Sequence, residues 1–202
     1  MESIQIKTRD LKLPNQYENP IDNLILNTKY PVFYIARKLN MTPNNLTFIS
    51  LVLGLVSIYS FCFKSYTLSA ITYFISYMFD TYDGNYARTY EMTTAFGDLF
   101  DHIKDLLVNF ALIMVFLVNS KLIYNKWVIL TTVILFIGLN LHLGCQEIYS
   151  KENDRETSNY LSFLSTFSKK MNICKYINVL RLFGCGSFAL WISILILLHQ
   201  YQ

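Results

Sequence analysis

In the stretch D-T-Y-D-G-N-Y-A-R-T-Y-E-M-T-T-A-F-G-D-L-F-D-H-I-K-D, residues 80 to 105, six acidic side chains fall beside one arginine, between two strongly apolar segments. If those segments are helices, Asp80 and Asp83 share a face, which Gly84, Ala87 and Arg88 continue at offsets of four, seven and eight. Asp101 and Asp105, four apart, share a face of the following helix, with Gly97 one turn earlier. Two helices patterned in this way offer four carboxylates to each other. Carboxylates at such spacing repel and are costly to desolvate at the edge of a bilayer, so a positive charge must sit between them. All-oxygen ligation suits a hard divalent cation, Mg²⁺ or Mn²⁺. Four carboxylates exceed what one phosphate-bound Mg²⁺ recruits, which points to two ions per site. Gly84, Ala87 and Gly97 clear side-chain bulk where a ligand or a neighbouring helix comes close, and Arg88 supplies a fixed fork for a diphosphate.

The elements that must position these groups read as membrane spans. With 53% hydrophobic, 16% aromatic and only 15% charged residues, the 202-residue chain is too apolar for an ordinary soluble domain and long enough for one membrane domain. Residues 1–20 form a polar tail without the apolar run of a cleavable signal, and the membrane domain takes residues 21–202. Apolar residues at helical spacing over 21–40, interspersed with Lys29, Arg37 and Lys38, predict an interfacial amphipathic helix that Pro31 should break or kink. Thr42-Pro43-Asn44-Asn45-Leu46-Thr47 reads as a turn and helix cap. Spans follow at 46–63, 66–79 running into Asp80, 99–118, 127–143 and 178–198, five in all, with 160–174 as a poor sixth. Such a chain is an all-α polytopic bundle of five to six spans.

Charge placement orients the bundle. An inner side holding the N-terminus would carry Lys7, Arg9, Lys12, Lys29, Arg37, Lys38, Arg88 and the group from Lys151 to Arg181, leaving only Lys64, Lys121 and Lys126 outside. The aspartates then face the cytoplasm. A net charge of +3 gives no reason to expect a nucleic-acid partner. Cys62, Cys145, Cys174 and Cys185 form no C-x-x-C pair and lie in or next to apolar segments, so they are expected to be buried thiols rather than disulfides or a zinc site.

The pattern D-x-x-D-G-x-x-A-R-x8-G-x3-D-x3-D resembles the signature of the CDP-alcohol phosphatidyltransferases at all eight fixed positions: Asp80, Asp83, Gly84, Ala87, Arg88, Gly97, Asp101 and Asp105. The resemblance implies transfer of a substituted phosphate from a CDP-linked donor to an alcohol or lipid acceptor, with release of CMP. It makes Asp80, Asp83 and Asp101 metal ligands, and Asp105 the proton acceptor that also touches the second metal. It likewise makes Gly84 and Arg88 donor-binding residues, with Thr94 on the nucleotide's phosphates. The P-N-x-[IL]-T element, here Pro43 to Thr47, implies cytidine contacts from Asn45 and Thr47, although Asn45 as a helix cap is an alternative. The run Gly-Asp-Leu-Phe-Asp-His looks like the choline and ethanolamine phosphotransferase branch, where the donor is a CDP-aminoalcohol and the acceptor diacylglycerol. The resemblance further implies a homodimer, and Gly54, Gly138, Gly184 and Gly186 permit close helix packing. The chain departs from the family in offering five strong spans where six are usual.

Neighbouring groups are read more plainly. Asp98 and Glu91 are solvated or lie behind the ligands, and His102 points about 100° away from Asp101. His142 and Glu147 mark a polar span end. Three other readings compete: a prenyltransferase-type enzyme with aspartate-bound Mg²⁺, a transport protein with an intramembrane acidic cluster, and a non-catalytic protein that keeps the metal-binding fold. The first needs no glycines or arginine at these gaps, and the second predicts acidic groups along a path across the bilayer.

Overall fold

The N-terminal amphipathic segment divides where its backbone can be satisfied. The computed structural model describes residues 12–153 and 161–201; most of the polar tail, with Lys7 and Arg9, and the charged 154–160, with Asp154, Arg155 and Glu156, lie outside the described residues. Two helices, α1 (Pro20–Asn27) and α2 (Lys29–Lys38), replace the single helix expected over 21–40. The break falls at Thr28 instead of Pro31, because Pro31 is the third residue of α2, where a backbone N–H has no intrahelical partner to lose. The Thr28 hydroxyl donates to the Ile25 carbonyl at 2.7 Å and meets the Tyr82 hydroxyl at 2.6 Å. Ile25, Phe33 and Ala36 bury themselves against Leu46, Tyr82 and Tyr86, while Leu24, Tyr34, Ile35 and Leu39 stay exposed on the other face.

Three long helices follow: α3 (Pro43–Cys62), α4 (Tyr66–Thr89) and α5 (Ala95–Asn119). Thr42 and Asn45 close a capping box at the start of α3, and Pro43 takes the first helical position, as its fixed φ favours. The ends of α2, α3 and α4 turn through Asn40, Lys64 and Glu91, all at positive φ, and each is locked by an N–H to a carbonyl five residues back: Met41 to Ala36, Ser65 to Ser60 and Met92 to Ala87, all 2.8 Å.

Serines hold α3 and α4 together. Ser50 Oγ donates to the Ser76 carbonyl at 2.9 Å, Ser76 Oγ returns to the Ser50 carbonyl at 2.7 Å, and Ser57 Oγ donates to the Ser69 carbonyl at 2.8 Å. Small side chains let the two backbones approach closely enough for these bonds. Gly54, on the same face of α3, lets α5 in as well: a Cβ there would lie 2.8 and 2.9 Å from the two Val108 methyls. Gly54→Ala is therefore expected to destabilise the chain by about 1–3 kcal/mol. Adding Val108→Ala should recover most of that loss in detergent unfolding, and a double variant no more stable than Gly54→Ala would refute the contact as its cause.

The chain continues through α6 (Lys126–Glu152), α7 (Ser162–Lys170), α8 (Ile177–Leu180) and α9 (Cys185–His199), with short 3₁₀ turns between them. Among the described residues all regular structure is helical, and three helical stretches are long and apolar enough to cross a membrane: Pro43–Cys62, Lys126–Glu152 and Ile173–His199. The helices bearing the acidic motif, α4 and α5, are 24 and 25 residues long. Among the described residues of the poor sixth stretch, 160–174, no helix of spanning length is seen. Its helix, α7, has nine residues and is about 14 Å long, half of what the hydrocarbon core requires.

The cysteine expectation is overturned. Cys145 and Cys174 form a disulfide with an S–S distance of 2.10 Å, whereas Cys62 is exposed and Cys185 half-buried. The two halves are 29 residues apart, and it is the return of α7 along α6 that brings them together. Gly144 makes that return possible, since its missing side chain leaves room for Ser168 and the Leu164 carbonyl.

The last apolar run is interrupted at Gly184, which is extended (ψ −178°) between a 3₁₀ turn and α9. The interruption frees backbone groups, and residues 12–22 satisfy two of them. Asn19 Nδ2 donates to the Arg181 carbonyl at 2.6 Å and to Ser187 Oγ at 2.8 Å, and the Gly186 N–H donates to Asp22 Oδ2 at 3.2 Å. Asp22 thus places negative charge at the start of α9, where the helix dipole favours it. Burial nevertheless pushes its carboxyl up to about 6, against the lowering effect of the Tyr77 hydroxyl 2.5 Å away, with Glu18 and His142 also facing it. Unfolded, the group titrates near 3.9. The folded chain holds the proton more tightly, so this contribution is present below pH 4 and disappears as the pH rises through 6. Asp22→Asn should gain about 2 kcal/mol on wild type between pH 4 and pH 7, read from unfolding midpoints in detergent. A constant difference across that range would refute the assignment.

Candidate active site

The beginning of α3, the end of α4 and the beginning of α5 meet at one end of the bundle. Thr47, 3% exposed, is held one turn into α3, where its hydroxyl donates to the Pro43 carbonyl at 3.3 Å, and it lies beside the Asp83 carboxylate. Asp80 and Asp83 leave α4 on one face, as the three-residue spacing requires, and Asp101 and Asp105 leave α5 opposite them. Carboxylate oxygens of Asp80, Asp101 and Asp105 all lie within 4.8 Å of one another. Asp83 is set deeper, 4% exposed, with Asp101 and Asp105 acting on it electrostatically. Exposure rises outward, from 19% for the Asp80 side chain to 33% for Asp101 and 49% for Asp105, so Asp105 is the carboxylate most open to an incoming molecule.

A cation already stands among these oxygens, and it comes from the chain itself. Lys104, 3% exposed, places Nζ in contact with Asp80 Oδ1, 2.8 Å from Asp105 Oδ1, 3.2 Å from Asp101 Oδ1 and 3.5 Å from Ser50 Oγ. The spacing of the carboxylates requires a positive charge between them, and Lys104, the one lysine of α5, supplies it although it lies outside the motif. The available signal was its position three residues after Asp101, on the face of the carboxylates. Asn44 also lies outside the motif. Its Oδ1 would lie 3.0 Å from a Cβ at Gly97, with Thr94 Oγ1 at 3.1 Å, so Gly97 is where the ends of α3 and α5 close on each other.

Asn45 Oδ1 accepts from the Thr42 N–H at 2.7 Å and the Thr42 hydroxyl at 2.8 Å, which is the capping role offered as its alternative. Thr94 Oγ1 accepts the Gly97 N–H at 3.0 Å as N-cap of α5. Asn45 Nδ2 and the Thr94 O–H are donors that these caps leave uncommitted. A Cβ on Gly84 would lie 3.2 Å from Nη1 of Arg88, so the glycine gives the guanidinium room one turn on. Ala87 is buried. The charges acting on Lys12 include Arg88, Asp101 and Glu147, and Glu18 feels Arg88 and Lys12, so residues 12–18 lie beside the motif. His102 Nδ1 lies 2.7 Å from the Asp98 carbonyl oxygen, turned away from Asp101 as its helical position requires. His142 and Glu147, near the polar end of α6, are buried at 1% and 4% exposure: His142 Nε2 sits 3.0 Å from the Tyr17 carbonyl oxygen, and Glu147 lies 3.7 Å from Lys151. The packing of residues 12–19 and of α7 against α6 covers them.

Oxygen-only donors at this spacing fit a hard divalent cation, and the ammonium drawn in among them marks where a cation is favoured. Helices apolar and long enough to cross a bilayer, with carboxylates gathered where two further long helices meet, define an integral membrane protein with a candidate cation site. The chain matches the CDP-alcohol phosphatidyltransferase family over residues 40–197, and it belongs to that family. The matched region takes in the start of α3, the whole acidic motif and nearly all of α9. No curated protein and no solved structure matches the chain.

Proposed function

We propose that this phosphatidyltransferase works with Mg²⁺ or Mn²⁺, two ions per site, on the cytoplasmic face, and that it takes a CDP-aminoalcohol as donor and diacylglycerol as acceptor. The observation that carries the reading is the convergence of Asp80, Asp101 and Asp105 within 4.8 Å, beside Asp83 and within reach of Arg88's helix face. The headgroup assignment rests on Gly97-Asp98-Leu99-Phe100-Asp101-His102, which looks like the choline and ethanolamine branch.

Asp80, Asp83, Asp101 and Asp105 would hold the metal, which supplies charge neutralisation for the diphosphate and the departing CMP. Arg88 binds the diphosphate through its planar fork, and Gly84 keeps that fork clear. Asn45, Thr47 and Thr94 contact the nucleotide, Asn45 and Thr94 through the donors their caps leave uncommitted. Asp105, the most open of the four carboxylates, accepts the proton of the acceptor hydroxyl. The hydroxyl oxygen then forms a bond to the phosphorus bearing the aminoalcohol, and the bond from that phosphorus to the bridging oxygen breaks. CMP leaves with the bridging oxygen. In this reading α3, α4, α5, α6 and the run ending in α9 cross the bilayer, with the exposed apolar face of α1 and α2 lying on it. Lys29, Arg37, Lys38 and Arg88 lie at the end of the bundle that holds the aspartates, with Lys64, Lys121 and Lys126 at the other, which supports a cytoplasmic site.

The test is CMP release by the purified chain in detergent, with Mg²⁺ or Mn²⁺ and a panel of CDP-linked donors and alcohol acceptors. Release with CDP-choline or CDP-ethanolamine and diacylglycerol is the expected result. Release only with CDP-diacylglycerol and a water-soluble alcohol would overturn the headgroup assignment, and release from no pair would overturn the reaction.

A further inference from the structure

We propose that Lys104 is a tethered counter-ion that holds the aspartate cluster together when no metal is bound, and that divalent metal must displace its ammonium to enter. The inference rests on the metal-dependent reading above and goes beyond it, because it makes a residue outside the eight-position motif set the metal affinity.

The geometry gives Lys104 this position. It follows Asp101 by three residues and directly precedes Asp105, so its side chain leaves α5 beside the face both carboxylates use. Its Nζ touches Asp80 on α4 and closes on Asp105 and Asp101 at 2.8 and 3.2 Å, so one ammonium bridges both helices. The side chain is 2% exposed, and Ser50 of α3 lies 3.5 Å from Nζ. The three carboxylates it contacts are also the three whose oxygens lie within 4.8 Å of one another, the spacing that a shared cation requires. The ammonium and a divalent ion therefore claim the same oxygens. An ammonium has three donors to offer them, while an ion with two charges neutralises more of the cluster. Asp83, which Lys104 does not touch, keeps a buried carboxylate oxygen, Oδ2, without a hydrogen-bond partner among the described residues. That oxygen gives metal a first foothold while Lys104 still occupies the others. Four flexible methylenes let the ammonium withdraw once a stronger cation arrives.

The test compares Mn²⁺ binding to wild type, Lys104→Met and Lys104→Gln, using the full chain in detergent and the paramagnetic signal of free Mn²⁺, beside the unfolding midpoint in EDTA. Methionine keeps the packing of the stem. Glutamine still donates to a carboxylate and covers the case in which methionine prevents folding. Either neutral variant should bind Mn²⁺ about tenfold or more tightly than wild type, the scale set by close buried charge pairs. The same variant should unfold earlier in EDTA and gain more from added Mn²⁺. Lys104→Arg, which keeps the charge, should leave Mn²⁺ binding as weak as in wild type. Unchanged or weaker binding in the neutral variants would overturn the role of Lys104 while leaving the transferase reading intact if CMP is still released. Mn²⁺ bound by no variant would overturn the inference and the metal-dependent reading together.

Discussion

Dialysis of the detergent-solubilised chain against EDTA is expected to lower CMP release by a factor of about 10³ or more, and Mg²⁺ or Mn²⁺ should restore it. The donor brings a diphosphate to a site that already gathers Asp80, Asp83, Asp101 and Asp105. Against that charge the described residues set the ammonium of Lys104 among the carboxylates, with Arg88 and Lys12 beside them, which leaves the transition state short of positive charge where the leaving CMP develops its own. The fold itself should survive chelation, because Lys104 keeps the cluster paired; far-ultraviolet circular dichroism and the unfolding midpoint separate loss of activity from loss of structure. Full activity in EDTA would show that the carboxylates serve something other than a divalent ion.

The second large effect is expected at Asp105. Asp105→Asn removes the group proposed to take the acceptor's proton and should lower kcat by about 10² to 10⁴, with the KM for the CDP-linked donor nearly unchanged. The substitution is mild for the fold. The side chain is 49% exposed, and Lys104 retains Asp80 and Asp101 as partners. Asp80→Asn should weaken Mn²⁺ binding more than Asp105→Asn does, since Asp80 is the more buried of the two proposed ligands, at 19% exposure against 49%. An Asp105→Asn protein retaining more than about a tenth of wild-type kcat would move the proton acceptor elsewhere, with Asp101 the next most open carboxylate.

Much of this molecule is set by local rules that act along one helix at a time. Asp80 with Asp83 and Asp101 with Asp105 must share faces once α4 and α5 are helical, since spacings of three and four allow nothing else. The cap at Thr42 and Pro43 and the apolar runs are equally local, and so the all-helical membrane fold and the acidic motif could be read from composition and spacing. Other features depend on which faces meet across the bundle. The disulfide joins residues 29 apart that only the fold of α7 onto α6 makes neighbours, and nothing near either cysteine announces the pairing. Pro31 reads as a helix breaker, yet its place in the first turn of α2 makes it harmless. The run expected to end as one span is cut at Gly184 because Asn19 and Asp22, some 160 residues earlier, supply the hydrogen bonds that the cut requires. Lys104 shows the same limit most clearly. Its spacing put it near Asp101, but its closure on Asp80 of another helix, and with it the presence of a cation inside the acidic cluster, followed only from the packing of α4 and α5 against α3. A charge's partners are fixed by distance through space, and the sequence by itself determines distance only along the helix.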